Sequence, residues 1–296
     1  MNIGMIMLCM IWGFNFVIMK LGNGSFPPGE FAAFRFLIGS FVLLGVCWLK
    51  KVPLPKKCDL KWFILCGLFQ TAYFNIAIQI SLNYISAGLT SVMTYSMPLF
   101  LSIMAHKWIP VEKLTARKTF GILIGIVGLV LAMNIRLDGS FWIILLALSS
   151  AISWAVANLI FKVKLKHCDT VQFTTWQMTI GAVGLFVYTL IFEHGDSHWG
   201  VMPVMYILYS GVIASALAFV MWNRILKNTE ASKASISLLL VPIVGVISGY
   251  IFLQETLNVV TLLGVLFVLI GIWFVNSKSI QETKKNFSRN IGKALD

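Results

Sequence analysis

Charge is scarce in this chain, and negative charge scarcer still. Of 296 residues 11% are charged, and 11 Asp and Glu stand against 23 Lys and Arg, a formal net charge of +12. So few polar groups cannot cover the surface of a soluble protein. In a soluble chain this excess would point to nucleic acid. Here the basic residues fall between apolar runs, a pattern of membrane topology, and no nucleic-acid partner is expected. Catalytic motifs are missing too: there is no GxSxG, no HExxH and no phosphate loop. Ser and His nowhere cluster with a carboxylate in an apolar run, so an enzyme is not expected and no cofactor is implied. The five cysteines, Cys9, Cys47, Cys58, Cys66 and Cys168, form no CxxC pair and read as packing residues rather than disulfides or metal ligands. His194 and His198, with Glu193 and Asp196, share one short polar loop without closed ligand geometry, so no metal is expected. No Lys or Arg precedes Lys20, so the basic start of a cleaved signal is missing.

What is abundant is hydrocarbon: 58% of residues are hydrophobic and the mean hydropathy is +0.87. A bilayer core roughly 30 Å thick needs about 20 apolar residues per helix. Apolar runs fall at about 3–21, 28–49, 61–82, 86–106, 117–135, 140–161, 171–192, 203–224, 233–253 and 258–276. Runs this long exceed β-strands, and an open sheet cannot face lipid. The expected fold is all-α and integral to the membrane, with ten transmembrane helices and no sizeable soluble domain.

Charge sets the orientation. With the N-terminus inside, 20 basic residues are cytoplasmic, running from Lys50 and Lys51 through Lys113, Lys164 and Lys227 to the tail. Two, Lys20 and Arg136, lie outside, and Arg35 sits within a run. Such a split predicts a multi-pass protein of the cell membrane with both termini cytoplasmic. Residues 277–296 read as a basic cytoplasmic tail.

The chain also repeats. At an offset of 142, Trp12 meets Trp154, Lys20 meets Lys162, Phe31 meets Phe173 and Gly39 meets Gly181. At 144, Ala87 meets Ala231, Ser91 meets Ser235 and Pro98 meets Pro242. At 143, Glu112 meets Glu255, Gly121 meets Gly264 and Gly128 meets Gly271. Residues 1–135 and 140–276 are thus two units of five helices each. An odd number of spans inverts the second unit, a plan common among secondary transporters that rock around a central site.

At these residues the sequence resembles a known family. Trp12-Gly13-Phe14-Asn15-Phe16 through Lys20, then Pro27-Pro28 and Phe31 to Phe36, is similar to the first half of an EamA transporter of the drug/metabolite transporter superfamily. Ser153-Trp154-Ala155 through Asn158 and Lys162 is similar to the second half, and Glu112 to Thr115 and Gln254 to Leu257 follow the two prolines as that pattern has them. The resemblance implies two five-helix halves, a central substrate cavity, a peripheral fifth and tenth helix, and transport of amino acids, other metabolites or drugs, often outward.

The candidate substrate-binding residues follow. Pro98 and Pro242 fall mid-run, where proline would free the carbonyls of Thr94 and Leu238. Matched interruptions in two halves point to a site. Arg35 is the only charge well inside a run; it could hold a substrate carboxylate, snorkel outward or pair with Glu30. Its repeat mate is Gln177. Asn75, Gln79 and Asn83 make one helical polar stripe, facing a cavity or another helix. Asn15, Asn158 and Asn223 add amides, and Trp12, Tyr73, Tyr95, Trp154 and Trp222 could wall a ligand. Gly121, Gly125, Gly128, Gly264 and Gly271 allow close helix contact, between the fifth and tenth helices or in a homodimer.

No acid lies deep in any run, since Glu30, Asp138, Glu193, Asp196 and Glu255 all sit at the outer edge. This favours facilitated diffusion or exchange over a mid-membrane proton carrier, with Glu255 or a substrate proton as the remaining coupling routes. The function expected is a secondary transporter of an amino acid or similar amphiphilic solute by alternating access, with export the favoured direction. The alternatives are export of drugs or cationic compounds and, less favoured, an intramembrane enzyme.

Overall fold

In the computed structural model every described element is helical. The structure describes residues 3–109, 114–133, 140–228, 238, 240–256 and 258–276. The helices are α1 (Ile3–Gly22), α2 (Pro28–Leu49), α3 (Leu60–Leu82), α4 (Ala87–Thr94), α5 (Met97–Trp108), α6 (Ala116–Met133), α7 (Ser140–Ile160), α8 (Thr170–Phe192), α9 (Val201–Asn228), α10 (Leu240–Leu253) and α11 (Val259–Asn276). Seven segments are long and apolar enough to cross a membrane: α1, α2, α3, α4 with α5, Phe141–Leu165, α8 and α9. Leu240–Leu253 and Val259–Phe274 are shorter apolar helices, and α6 carries Arg117 and Lys118 in its first turn. Of the earlier expectations, Glu112, Lys113, Arg136, Asp138, Ala231, Ser235, Leu257 and the 277–296 tail lie outside the described residues.

Helix ends show why these boundaries hold. Pro28 opens α2, where its missing N–H has no intrahelical partner to lose. The next two amides, Gly29 and Glu30, donate to the Glu193 carboxylate at 2.7 and 3.0 Å, so an acid at the end of α8 caps the start of α2. Asp169 caps α8 through the amides of Val171 and Gln172. Ser86 caps α4 through the amide of Leu89.

Two expectations are corrected here. Pro98 and Pro242 do not kink a helix interior. The fourth apolar run breaks at Tyr95–Ser96, α4 ends at Thr94, and Pro98 sits in the first turn of α5. Pro242 is likewise the third residue of α10. Placing proline where the first amides have no intrahelical acceptor avoids the clash an interior site would carry.

Besides Phe161–Leu165 after α7, two segments widen to π-helix, Gly67–Tyr73 in α3 and Tyr209–Leu217 in α9. Each segment lies against a glycine of a crossing helix. A Cβ on Gly39 of α2 would stand 2.7 Å from the Gly211 carbonyl oxygen, and one on Gly181 of α8 would stand 2.7 Å from that of Gly67. Gly39 and Gly181 are repeat mates, and Gly67 and Gly211 keep the offset of 144. Backbones meet at both crossings because neither carries a side chain there.

Helices α2 and α8 pack along one another at the centre, α1 lies on α10, and α7 lies on α4 and α5. Helices α6 and α11 pack chiefly on each other. A Cβ on Gly264 would lie 2.2 Å from the Ala132 nitrogen, and one on Gly128 would lie 2.5 Å from that of Val268. These glycines are therefore used within one chain.

Candidate functional site

The two tryptophans that match in the repeat meet at the centre of the molecule. The rings of Trp12 (α1) and Trp154 (α7) are 5.7 Å apart and edge to face. Tyr95 stands 5.3 Å from Trp154, Phe74 5.3 Å from Trp154, Phe219 5.4 Å from Trp12, and Trp222 5.9 Å from Trp154. Edge-to-face packing at these spacings adds to simple burial. It leaves a cavity beside the rings, lined by Trp12, Asn15, Phe16, Met19, Arg35, Phe74, Asn75, Ile78, Tyr95, Trp154, Ala214, Ser215 and Phe219. All thirteen are buried.

The polar atoms in this wall are unevenly satisfied. The Trp12 indole donates to the Ala214 carbonyl at 2.9 Å, within the π-helical turn of α9. Ser210 donates to Asn15 at 2.7 Å. Arg35, 2% exposed, donates from Nη2 to the Asn75 side-chain oxygen, and Asn75 donates back to the Thr71 carbonyl at 2.8 Å. The Arg35 guanidinium also lies 4.6 Å over the Phe36 ring. Among the described residues, however, Arg35 Nε and Trp154 Nε1 donate to no acceptor. Glu30 does not pair with Arg35; its carboxylate accepts from Ser197 at 2.6 Å. Two residues with unsatisfied buried donors thus line one cavity, and among the described residues no carboxylate pairs with Arg35. That combination favours a ligand carrying acceptor oxygens and negative charge.

Of the residues expected from sequence, the cavity brings together Asn15, Arg35, Asn75, Tyr95 and Trp154. Trp222 and Asn158 lie just behind, with the Trp222 indole donating to Asn158 at 3.3 Å. Thr94 is paired with Ser150 at 3.4 Å, beside α7. Gln79 donates to the Met19 carbonyl and to Asn23, and Asn83 meets Asn23, so this half of the stripe binds the end of α1. Gln177 is fully buried, and its side-chain amide finds no partner among the described residues. Pro98 and Pro242 start helices rather than line the cavity. Tyr73 is 44% exposed and meets Ser149 at 2.8 Å, outside the cavity, as helical spacing two residues from Asn75 places it on the opposite face. Sequence reasoning did not single out Phe16, Met19, Phe74, Ile78, Ala214, Ser215 and Phe219. The helical spacing of Phe16 and Met19 from Trp12 and Asn15 was available as a signal.

One further cluster begins at Lys20, next in chain to the cavity residue Met19. Lys20 Nζ lies 2.6 Å from Glu255 Oε1 and donates to the Ile85 carbonyl at 3.1 Å. The Glu255 carboxylate also accepts from the Ala87 amide at 2.8 Å, at the N-terminus of α4. A residue following α10 therefore ties the end of α1 to the start of α4.

These features define a helical, multi-pass membrane protein with a polar and aromatic cavity at its centre. The model of the EamA-like transporter family matches residues 1–134 and again 141–277, and the chain belongs to that family. It is 31% identical over 289 residues to an uncharacterized transporter, YoaV, of Bacillus subtilis, covering 95% of this chain and 98% of that one. It is 26% identical over 280 residues to a protein of Escherichia coli named a probable amino-acid metabolite efflux pump, covering 90% and 92%. A solved crystal structure, 16% identical, shares the fold with a TM-score of 0.70 over 92% of this chain and 95% of its own.

Proposed function

We propose that this chain exports a small amphiphilic carboxylate, of the amino-acid class, by alternating access, with both termini cytoplasmic in the cell membrane. The supporting observation is that Arg35 and Trp154, whose Nε and Nε1 are orphan donors among the described residues, line one buried cavity. Arg35 would hold the carboxylate and the indole rings would cover an apolar side chain. The name carried by the Escherichia coli relative is in keeping with that class.

In this reading the chain is ten spans in two inverted units, with α4 and α5 forming one span. The matched crossings Gly39–Gly211 and Gly181–Gly67, the matched wide turns, and the Trp12–Trp154 contact support it. The cavity volume of about 30 Å³ holds one or two waters. Sites for organic ligands run roughly 300–1,000 Å³. Substrate therefore enters only when the units part, and the Lys20–Glu255–Ala87 cluster is what must separate at the outer end.

The aromatic walls would also suit a cation, which is the basis for the second reading, a cationic-drug exporter; Arg35 opposes it. Thermal stabilisation of the purified protein separates the two. Amino acids should stabilise it and their decarboxylated amines should not. Stabilisation by amines alone would reverse the assignment.

A further inference from the structure

At the lysine-rich end of the bundle, two dipeptides from distant parts of the chain face each other. Cys58-Asp59 precedes α3, and His167-Cys168 lies in the turn before α8. His167 Nε2 is 2.9 Å from Asp59 Oδ2 and 3.5 Å from Cys168 Sγ. One donor atom from each of Asp59, His167 and Cys168 falls within 4.8 Å of the others.

We propose that these three side chains form a site for a thiophilic divalent cation of the zinc class. Asp59 sits at the N-cap of α3, where its side chain would normally accept from the helix amides; it makes no such bond and turns to His167 instead. A single ring nitrogen, Nε2, contacts both the carboxylate and the thiol, and it cannot hydrogen-bond both well: it either donates or accepts. A metal ion placed between them satisfies all three at once. Tetrahedral zinc with a nitrogen at about 2.0 Å and a sulfur at about 2.3 Å holds them about 3.5 Å apart. That is the spacing found between His167 and Cys168.

Carboxylate and thiolate together match a divalent charge, and the imidazole adds a neutral ligand. The His167 side chain is 54% exposed, which leaves an entry path, while Asp59 and Cys168 are buried. Without metal, burial and the Asp59 carboxylate push the Cys168 thiol up, against the pull of Lys227 and Lys56. Cys58, next in chain to Asp59, adds to that push. The bound ion would link the start of α3 to the turn between α7 and α8.

The test is a titration of the purified full-length protein with Co2+ alone. The expected result is one equivalent bound with thiolate-to-cobalt charge-transfer absorption, lost in C168S. D59N and H167Q should each weaken binding at least tenfold, and they give an independent reading should C168S not fold. Zn2+ should displace the cobalt and abolish the absorption. Binding without a thiolate band, or with affinity unchanged in D59N and H167Q, overturns the site and marks the cobalt as surface-bound only.

Discussion

Glu255 accepts both from Lys20 and from the first amide of α4, so a single carboxylate joins three segments. Lys20 is 30% exposed and Glu255 12%, which leaves the pair partly screened, worth about 1 kcal/mol. That still corresponds to about a fivefold shift between closed and open populations. E255Q and K20M should each speed labelling of a cysteine placed at Ser215, applied from outside with an impermeant thiol reagent, by a few-fold. The background should lack the five native cysteines. An unchanged rate would make the pair a surface tether without a gating role.

Arg35 offers the opposite balance of stability and function. A cation this deeply buried, with no carboxylate partner among the described residues, is costly to hold in the membrane. R35Q should leave the melting temperature unchanged or raise it, while lowering transport of carboxylate substrate more than tenfold. R35K keeps the charge without the planar fork and should retain a minor part of the flux. Full transport by R35Q in proteoliposomes would remove Arg35 from the site.

The two central tryptophans allow a matched comparison. Trp12 donates to Ala214, whereas Trp154 has no acceptor among the described residues. W12F and W154F remove similar volume, so their difference isolates the hydrogen bond. W12F should be more destabilising by about 1 kcal/mol, since it forfeits a buried hydrogen bond that W154F does not. W154F should instead weaken substrate binding. Thermal melts with and without substrate read both effects; equal losses of stability would contradict the assignment.

Glycines should sort by what stands beside them. G264A drives a Cβ to within 2.2 Å of backbone and should cost about 1–3 kcal/mol. Gly45 meets nothing within 4 Å, so G45A should be neutral or stabilise by about 0.5–1 kcal/mol. Neither should alter substrate affinity, which a binding assay on the surviving protein checks.

Length and hydropathy placed helix in each apolar run, because those signals are local. Trp12 and Trp154 were readable as a matched pair, but not that their rings touch. Hydropathy does not encode hydrogen-bond register, so the wide turns at Gly67–Tyr73 and Tyr209–Leu217 were invisible, whereas the outward position of Tyr73 was readable from its spacing of two from Asn75. The break at Tyr95–Ser96 was legible only as a proline nearby. Glu193 and Glu255 read as acids at an edge; that each serves a helix start from a distant part of the chain is tertiary information. Asp59, His167 and Cys168 are 108 residues apart across the closest contact, too far for any spacing rule to join them.

The α6–α11 pair has a mechanical consequence. Its two helices hold mainly to each other through glycine backbones, so their contact survives whatever α1, α2, α7 and α8 do relative to one another. In the proposed transport cycle the pair would therefore travel as one rigid unit, and any rearrangement beside it would fall on its sparser contacts with α5 and α7.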